Sequence, residues 1–335
     1  MITEFDIERI DLGLVNRCNL ACPLCPYVKH NIREVQKAAH ADIDAVKNFL
    51  DKLPNIRVAI IEGNYCEPTL YKHFKELIKY LKFRNVRIRL STNGNTFNTK
   101  WWSEIGSLFK KEDIIRFAIE GTTQELHSKY RVKGDLNKVI EHHRAFKKNS
   151  EGTTVLQNVI FQYNYHDQDN IKKLFLEENF DFIGFQRCYP SENLNEEEGI
   201  APLKDVINYY KLYERIIHSR QIKKPKVICD SNNRKEIYIN HEGQVFRCGV
   251  HDEEKPYENI PTVHDDLNII LNHISMATEN RHNCDACIKN CNTFCYKIGE
   301  YYPDYIVDRN LNVYEENYFS VEIESKDYWN RDKLI

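Results

Sequence analysis

Apolar residues over the first two thirds of the chain recur in two alternating rhythms. Short β-branched or aromatic runs predict strands at Ile10–Val15, Val58–Glu62, Val86–Ser91, Ile114–Glu120, Val155–Gln162 and Phe180–Gln186. Between them the apolar positions step by three and four. Leu70, Phe74, Leu77, Ile78 and Leu81 fall on one helical face, with Thr69 placed to cap it. Ile43, Val46 and Leu50 form a second stripe behind a cap at Asp42, and Trp101, Ile105 and Leu108 mark a third. Further helices are predicted over Asp135–Lys147, Asn170–Glu177 and Pro202–Arg220. His142 and His143 lie in a charged stretch of one of these, where a solvated face is expected.

Six strand-then-helix units in series predict an α/β fold with a parallel sheet and right-handed crossovers. An open doubly wound sheet and a partial barrel both satisfy this pattern. In either, chemistry belongs on the loops at the carboxyl ends of the strands. The rhythm stops at Gln221–Lys226, so a domain boundary is expected near residue 222, dividing 1–222 from 223–335. Beyond it, Glu236–Asn240 and Gln244–Arg247 predict a hairpin turning at His241-Glu242-Gly243. The tail from Tyr301 is aromatic and acidic and suggests no role.

Of 335 residues, 41% are hydrophobic, enough for one large core or a large core and a small one. A net charge of −3 gives no global attraction to nucleic acid or to an anionic membrane. No run approaches the ~20 apolar residues of a membrane span. The opening MITEFDIERIDLGLV lacks the features of an export signal, and a cytoplasmic protein is expected.

Eleven cysteines then point to metal binding or redox chemistry rather than disulfides. Cys18, Cys22 and Cys25 form C-x3-C-x2-C directly after the first strand. Three thiolates on a short loop can bind three irons of a [4Fe–4S] cube and leave the fourth open, since a fully protein-ligated cube takes four. The competing readings are a zinc site, for which His30 is the nearby fourth ligand, or three core cysteines. A second region holds Cys229, Cys248, Cys284, Cys287, Cys291 and Cys295, the last four spaced C-x2-C-x3-C-x3-C, close to ferredoxin spacing. Zinc is the alternative there too. Cys66 and Cys188 stand alone after the second and sixth strands. A thiol at such a position can donate a hydrogen atom to a substrate radical; the plainer reading is a small packing residue.

On these motifs the chain resembles the radical S-adenosylmethionine (SAM) superfamily, over roughly residues 8–190. The family's C-x3-C-x2-C loop matches Cys18, Cys22 and Cys25, with Leu24 where an aromatic residue is usual. Gly63-Asn64-Tyr65-Cys66-Glu67-Pro68 is similar to its G-x-G-E-P segment, with Cys66 in place of a glycine. Ser91-Thr92-Asn93-Gly94 is similar to its S/T-x-N-G turn. Ala118-Ile119-Glu120-Gly121, His127 and Tyr130-Arg131 resemble its S-x-D-G…H…Y-R stretch, with Ala118 and Glu120 replacing serine and aspartate.

The resemblance implies a partial (β/α)6 TIM-like barrel carrying a catalytic [4Fe–4S] cluster. SAM would chelate the open iron, with cofactor contacts from Gly63, Asn64, Glu67, Ser91, Asn93, Glu120 and Arg131, the last pairing with the SAM carboxylate. The region after residue 222 looks like a SPASM or Twitch domain with one or two auxiliary iron–sulfur clusters. With two, Cys229, Cys248 and Cys295 would hold one, and Cys284, Cys287 and Cys291 the other. The activity implied is reductive cleavage of SAM to a 5′-deoxyadenosyl radical that takes a substrate hydrogen atom, with an electron donor such as flavodoxin or ferredoxin. The substrate is a peptide or protein to be oxidised, crosslinked or epimerised, or else a small molecule such as a sugar or aminocyclitol. Seventeen residues precede Cys18, too few for the N-terminal peptide-recognition domain some relatives carry, which weighs against the first. A metal-binding scaffold without catalysis is the third reading.

Overall fold

The computed structural model describes residues 2–62, 66–188, 199–203, 235–249, 252, 258–280, 304–311 and 313–316. The six predicted strands are β1 (Arg9–Gly13), β2 (Val58–Ile61), β3 (Arg87–Thr92), β4 (Ile114–Ala118), β5 (Thr153–Ile160) and β6 (Phe182–Arg187). The helices among and between them are α1 (Pro26–Lys29), α2 (Ile32–Val35), α3 (Ile43–Asp51), α4 (Phe74–Phe83), α5 (Thr99–Gly106), α6 (Gln124–Tyr130), α7 (Leu136–Asn149) and α8 (Gln168–Glu177). Later come β7 (Glu236–Asn240), β8 (Val245–Phe246), α9 (Leu267–Glu279), β9 (Asp304–Asp308) and β10 (Val313–Glu316). The helix expected over Pro202–Arg220 and the boundary near 222 fall outside the described residues.

The chain divides into two compact units. The first comprises Met1–Cys18, Cys25–Ser91 and Lys223–Cys295. Its strands run in the order β8-β7-β1-β2-β3. β1 is parallel to β2, with Arg9 opposite Val58, and parallel to β7, with Arg9 opposite Glu236. The predicted hairpin thus forms as β7 and β8 and extends the sheet of this unit, with Gly243 at φ +76° in the turn. One sheet face is apolar: Ile10, Leu12, Ala59, Ile61, Ile88, Leu90, Ile237 and Ile239 are all buried. Leu12, Leu14 and Ile61 pack with Tyr71, just before α4, and with Phe74 and Leu77 in its first turns. The other face carries Arg9, Asp11 and Glu236, because alternate residues of a strand point to opposite sides. Gly13 has no room for a side chain: a Cβ there would sit 2.1 Å from the Tyr238 hydroxyl.

Asp42 caps α3 as expected, accepting hydrogen bonds from the backbone N–H of Asp44 and Ala45. Thr69 does not cap α4. Glu67 instead caps a 3-10 turn at Pro68–Leu70, and α4 starts only at Phe74. Proline at the first position of that turn suits it to a short helical start.

The second unit comprises Asn19–Leu24, Thr92–Ile222 and Tyr296–Ile335. Its strands run β4-β5-β6-β9-β10, with β4, β5 and β6 parallel and β9 antiparallel to β6. The tail that suggested no role therefore supplies two strands. On α5 it is Trp102, rather than Trp101, that is buried, its indole N–H donating to Thr96 O at 2.8 Å. His142 and His143 are buried, which corrects the solvated face expected for them. Leu136, Val139, His143 and Phe146 recur at helical spacing, and this stripe packs inward while Arg144 and Lys147 lie beside it.

Candidate functional site

The cysteine loop leaves β1 and is braced residue by residue. In the first unit, buried Asn16 donates to Gln36 Oε1 and Lys37 O and accepts from the Ala39 N–H. Arg17 donates to Gln36 O and to Asn16 O. Residues 16 and 17 are thereby fixed immediately before Cys18. In the second unit, Asn19 accepts from Asn93 Nδ2 at 2.8 Å and donates to Asn95 O at 3.2 Å. Asn93 Oδ1 takes the Asn95 N–H, and Asn95 Oδ1 takes the N–H of Asp135. The Asn-Gly turn after β3 thus anchors the residue that follows Cys18. Gly94 in this turn has φ +67°.

Cys66 and Glu67 lie beside this loop within the first unit, for the Glu67 N–H donates to Arg17 O at 2.8 Å. The Glu67 carboxylate is 2% exposed and accepts from the Thr69 hydroxyl at 2.6 Å. Burial pushes the Cys66 thiol well above its ordinary pKa, and Glu67, Cys18, Asp11 and Cys25 add to this. Asp11 Oδ1 is buried without a hydrogen-bond partner. Burial, then the carboxylates of Glu236 and Glu62, raises the Asp11 pKa well above normal. Ser91 donates to Glu62 Oε1 at 2.8 Å. Gly63 and Asn64 lie outside the described residues.

In the second unit Cys22 is 5% exposed, and Arg131 Nη1 points at its sulfur from 3.8 Å. The backbone N–H of Ala21 donates to Val132 O, so main chain and side chain meet the same partner segment. Arg131 is gripped by Glu120, whose two oxygens accept from Nε and Nη2, both at 2.8 Å. Glu120 is fully buried; its N–H donates to His127 Nδ1, and its carbonyl accepts from Asn164. Burial opposes the Arg131 charge, but Glu120 and then Cys22 outweigh it and keep its pKa well above the usual guanidinium value. His127 is pushed down to about 4 by burial and is therefore neutral.

Cys188 continues the β5–β6 pairing, its N–H donating to Ile160 O. Its side chain is buried among Phe161, Tyr163 and Ile200, with Leu24, Leu126, Tyr130 and Val159 packed against that cluster. Burial pushes its thiol up to about 12. Cys248 is half-buried after β8. Cys229, Cys284, Cys287, Cys291 and Cys295 lie outside the described residues, and the SPASM or Twitch expectation with them.

The donor chemistry of the loop fits an iron–sulfur cube. Cys18, Cys22 and Cys25 are soft thiols on one short braced loop, and a guanidinium is aimed at one of them. No three His, Cys, Asp or Glu side chains among the described residues converge to hold a metal ion. A cube makes a different demand, since each thiolate meets its own iron. Sequence reasoning missed Asn16, Arg17, Asn19, Asp11 and Asn164. Asp11 had a legible signal, a charge inside an apolar strand; the asparagines had only their positions flanking cysteines and turns.

Residues 13–175 match the Radical SAM superfamily. This match identifies a Radical SAM domain within the chain, covering just under half of its length and starting at the last residue of β1. Among known proteins it is similar to a tungsten-containing aldehyde ferredoxin oxidoreductase cofactor-modifying protein of Pyrococcus furiosus. They are 23% identical over 256 residues, 71% of this chain and 69% of that one. Its fold is similar to that of SuiB from Streptococcus suis, whose SAM-bound crystal structure superposes with a TM-score of 0.60 at 12% identity, covering 88% of this chain and 74% of SuiB. Native anSMEcpe with bound AdoMet gives 0.53 at 16% identity, covering 86% and 90%. The α/β partial-barrel fold is thereby established. No helix among the described residues is long and apolar enough to cross a membrane.

Proposed function

We propose that Cys18, Cys22 and Cys25 hold a [4Fe–4S] cube with one open iron, and that the chain is a radical SAM enzyme modifying a peptide or protein. The observation that carries this is the braced three-cysteine loop at the carboxyl end of β1, inside the matched domain. When bound, the cube and SAM supply hydrogen-atom abstraction through one-electron cleavage of SAM. The chain's own part is to hold the loop, exclude water and present the substrate. Glu67, Ser91 and Asn93, with Gly63 and Asn64, are the proposed SAM-side contacts. Cys66 and Cys188 are the candidate hydrogen-atom donors. Buried, protonated thiols suit that role, since the S–H bond must be intact before transfer. One or two auxiliary clusters on the six later cysteines, a flavodoxin or ferredoxin as electron donor, and the reducing cytoplasm complete the reading.

A peptide substrate is supported by SuiB, which has been crystallised with its precursor peptide SuiA. The second reading, a small-molecule substrate, is favoured by the cofactor-modifying role named for the Pyrococcus relative. Anaerobic reconstitution with iron and sulfide, then SAM and dithionite, tests the activity: 5′-deoxyadenosine and methionine are expected from the wild type and not from Cys22→Ala. A loaded cluster that yields neither product across peptide and small-molecule acceptors would favour the scaffold reading. In deuterated solvent, a Cys188→Ala variant that still delivers deuterium to a closed-shell product removes Cys188 as donor.

A further inference from the structure

Arg131 presents two hydrogen-bonding edges, and the structure uses them differently. The edge formed by Nε and Nη2 is filled by Glu120, in the two-point geometry that guanidinium and carboxylate favour. Of the remaining donors, Nη1 is turned to Cys22 Sγ. A SAM carboxylate approaching this arginine would find the Nε–Nη2 edge already taken and Nη1 turned to Cys22. The arrangement is built rather than incidental. Arg131 sits just past the end of α6, its N–H bonded to His127 O. Its guanidinium carbon lies 5.3 Å from the centre of the Tyr130 ring. Glu120 has no exposed surface and is itself held by His127 and Asn164. The side chain of Arg131 is 19% exposed. Residues 21 and 22 are tied to residues 132 and 131, one by backbone and the other by side chain.

We propose that Arg131, fixed by Glu120, donates a hydrogen bond to the Cys22 sulfur and thereby raises the reduction potential of the cube that Cys22 helps to hold. Hydrogen bonds and positive charge at cluster sulfurs favour the reduced state, which carries one more negative charge. Arg131 is then a positioning and tuning residue acting through Cys22, not a SAM ligand. The inference rests on the reading of Cys22 as a cluster ligand.

Two substitutions should move the potential in opposite directions. Arg131→Gln removes the charge and the donor. Glu120→Gln keeps the guanidinium but removes the anion that offsets it. The measurement is an anaerobic redox titration of the reconstituted full-length chain without SAM, followed by the electron paramagnetic resonance signal of the reduced cluster. At a fixed solution potential, Arg131→Gln is expected to lower the reduced-to-oxidised ratio by about tenfold, equivalent to 59 mV for one electron. Glu120→Gln is expected to raise it, and Arg131→Lys to fall between Arg131→Gln and the wild type. A purely structural role gives no such opposed pair. Should Arg131→Gln fail to load, Glu120→Gln decides alone, and no change or a fall overturns the inference. SAM binding measured on the same loaded samples separates the roles. If Arg131→Gln weakens SAM binding while the potential without SAM stays at the wild-type value, Arg131 is a SAM ligand and the inference is wrong. A chain that takes up no cube at all overturns the reading of the loop as well. A loaded cube indifferent to both substitutions overturns this inference only.

Discussion

Replacing His143 by phenylalanine should make the protein more stable, and more so in acid. His143 is completely buried, its ring stacked on Phe180 with centroids 3.5 Å apart and set edge-on to Phe117. Neither ring nitrogen has a hydrogen-bond partner. Burial holds its pKa down at about 3, with the nearby charges of Lys147 and Arg144 acting the same way. In the unfolded chain the imidazole titrates near its ordinary ~6.5. As pH falls below that value the unfolded state takes up a proton that the folded state refuses until about pH 3. The folded state is therefore at full strength above the unfolded pKa and loses stability progressively through this window. At about pH 5 the gap is about 1.5 pH units, which at ~1.4 kcal/mol each amounts to about 2 kcal/mol. Removing the unpaired nitrogens adds a pH-independent gain of about 1–3 kcal/mol. Urea unfolding of the apo chain followed by circular dichroism, at about pH 7.5 and about pH 5, reads both parts. His127, also buried and neutral, titrates in wild type and variant alike and cancels. If the two proteins lose equal stability between the two pH values, His143 is not held neutral by its surroundings and the reasoning fails.

Other consequences are separately measurable. Asn164→Ala removes the acceptor for the Phe161 N–H and the donor to Glu120 O, both buried, and the donor to the partly buried Val159 O, and should cost about 3 kcal/mol in urea unfolding. Gly13→Ala drives a methyl group into the Tyr238 hydroxyl and should cost about 1–3 kcal/mol; adding Tyr238→Phe should recover part of it, since the ring carbon behind the hydroxyl, at 2.9 Å, is still close. Iron and sulfide analysis after anaerobic reconstitution should find the catalytic cube lost from Cys22→Ala and retained in Cys188→Ala, because Cys188 packs in an apolar cluster.

What the sequence revealed follows what each feature depends on. Strand positions were legible because a buried face writes itself as a run of β-branched residues: Val58, Ile60 and Ile61 needed no partner to be recognised. The Asp42 cap was legible because a cap is local. The three-cysteine loop was legible because thiols that share one loop must be close in sequence. The rest depended on partners far along the chain. Glu236–Asn240 read as half of a hairpin, but its place beside β1 is set by a pairing across more than 220 residues. His142 and His143 looked solvated because their neighbours are charged; Trp102 and Phe180, which bury them, are distant in sequence. Arg131 was identified as a site residue, but no spacing rule could assign its two edges to Glu120 and Cys22.

Glu120 links this chain's departures from the family pattern to a measurable difference. The pattern has an aspartate there and a serine where Ala118 stands. The extra methylene of glutamate extends the carboxylate by ~1.5 Å, and that reach is what lets both oxygens meet Arg131 at 2.8 Å. In Glu120→Asp the carboxylate withdraws by that amount, beyond direct hydrogen-bond distance, unless the guanidinium follows it away from Cys22. Either response breaks the present division of the two edges. If the Nε–Nη2 edge is released, it becomes available to a SAM carboxylate, a charge-assisted contact of about 1.5–3 kcal/mol. SAM should then bind at least tenfold more tightly to the reconstituted variant, ~1.4 kcal/mol or more by anaerobic calorimetry, and the cluster potential should shift from the wild-type value. Unchanged SAM affinity together with an unchanged potential would mean that Arg131 does not take its position from Glu120.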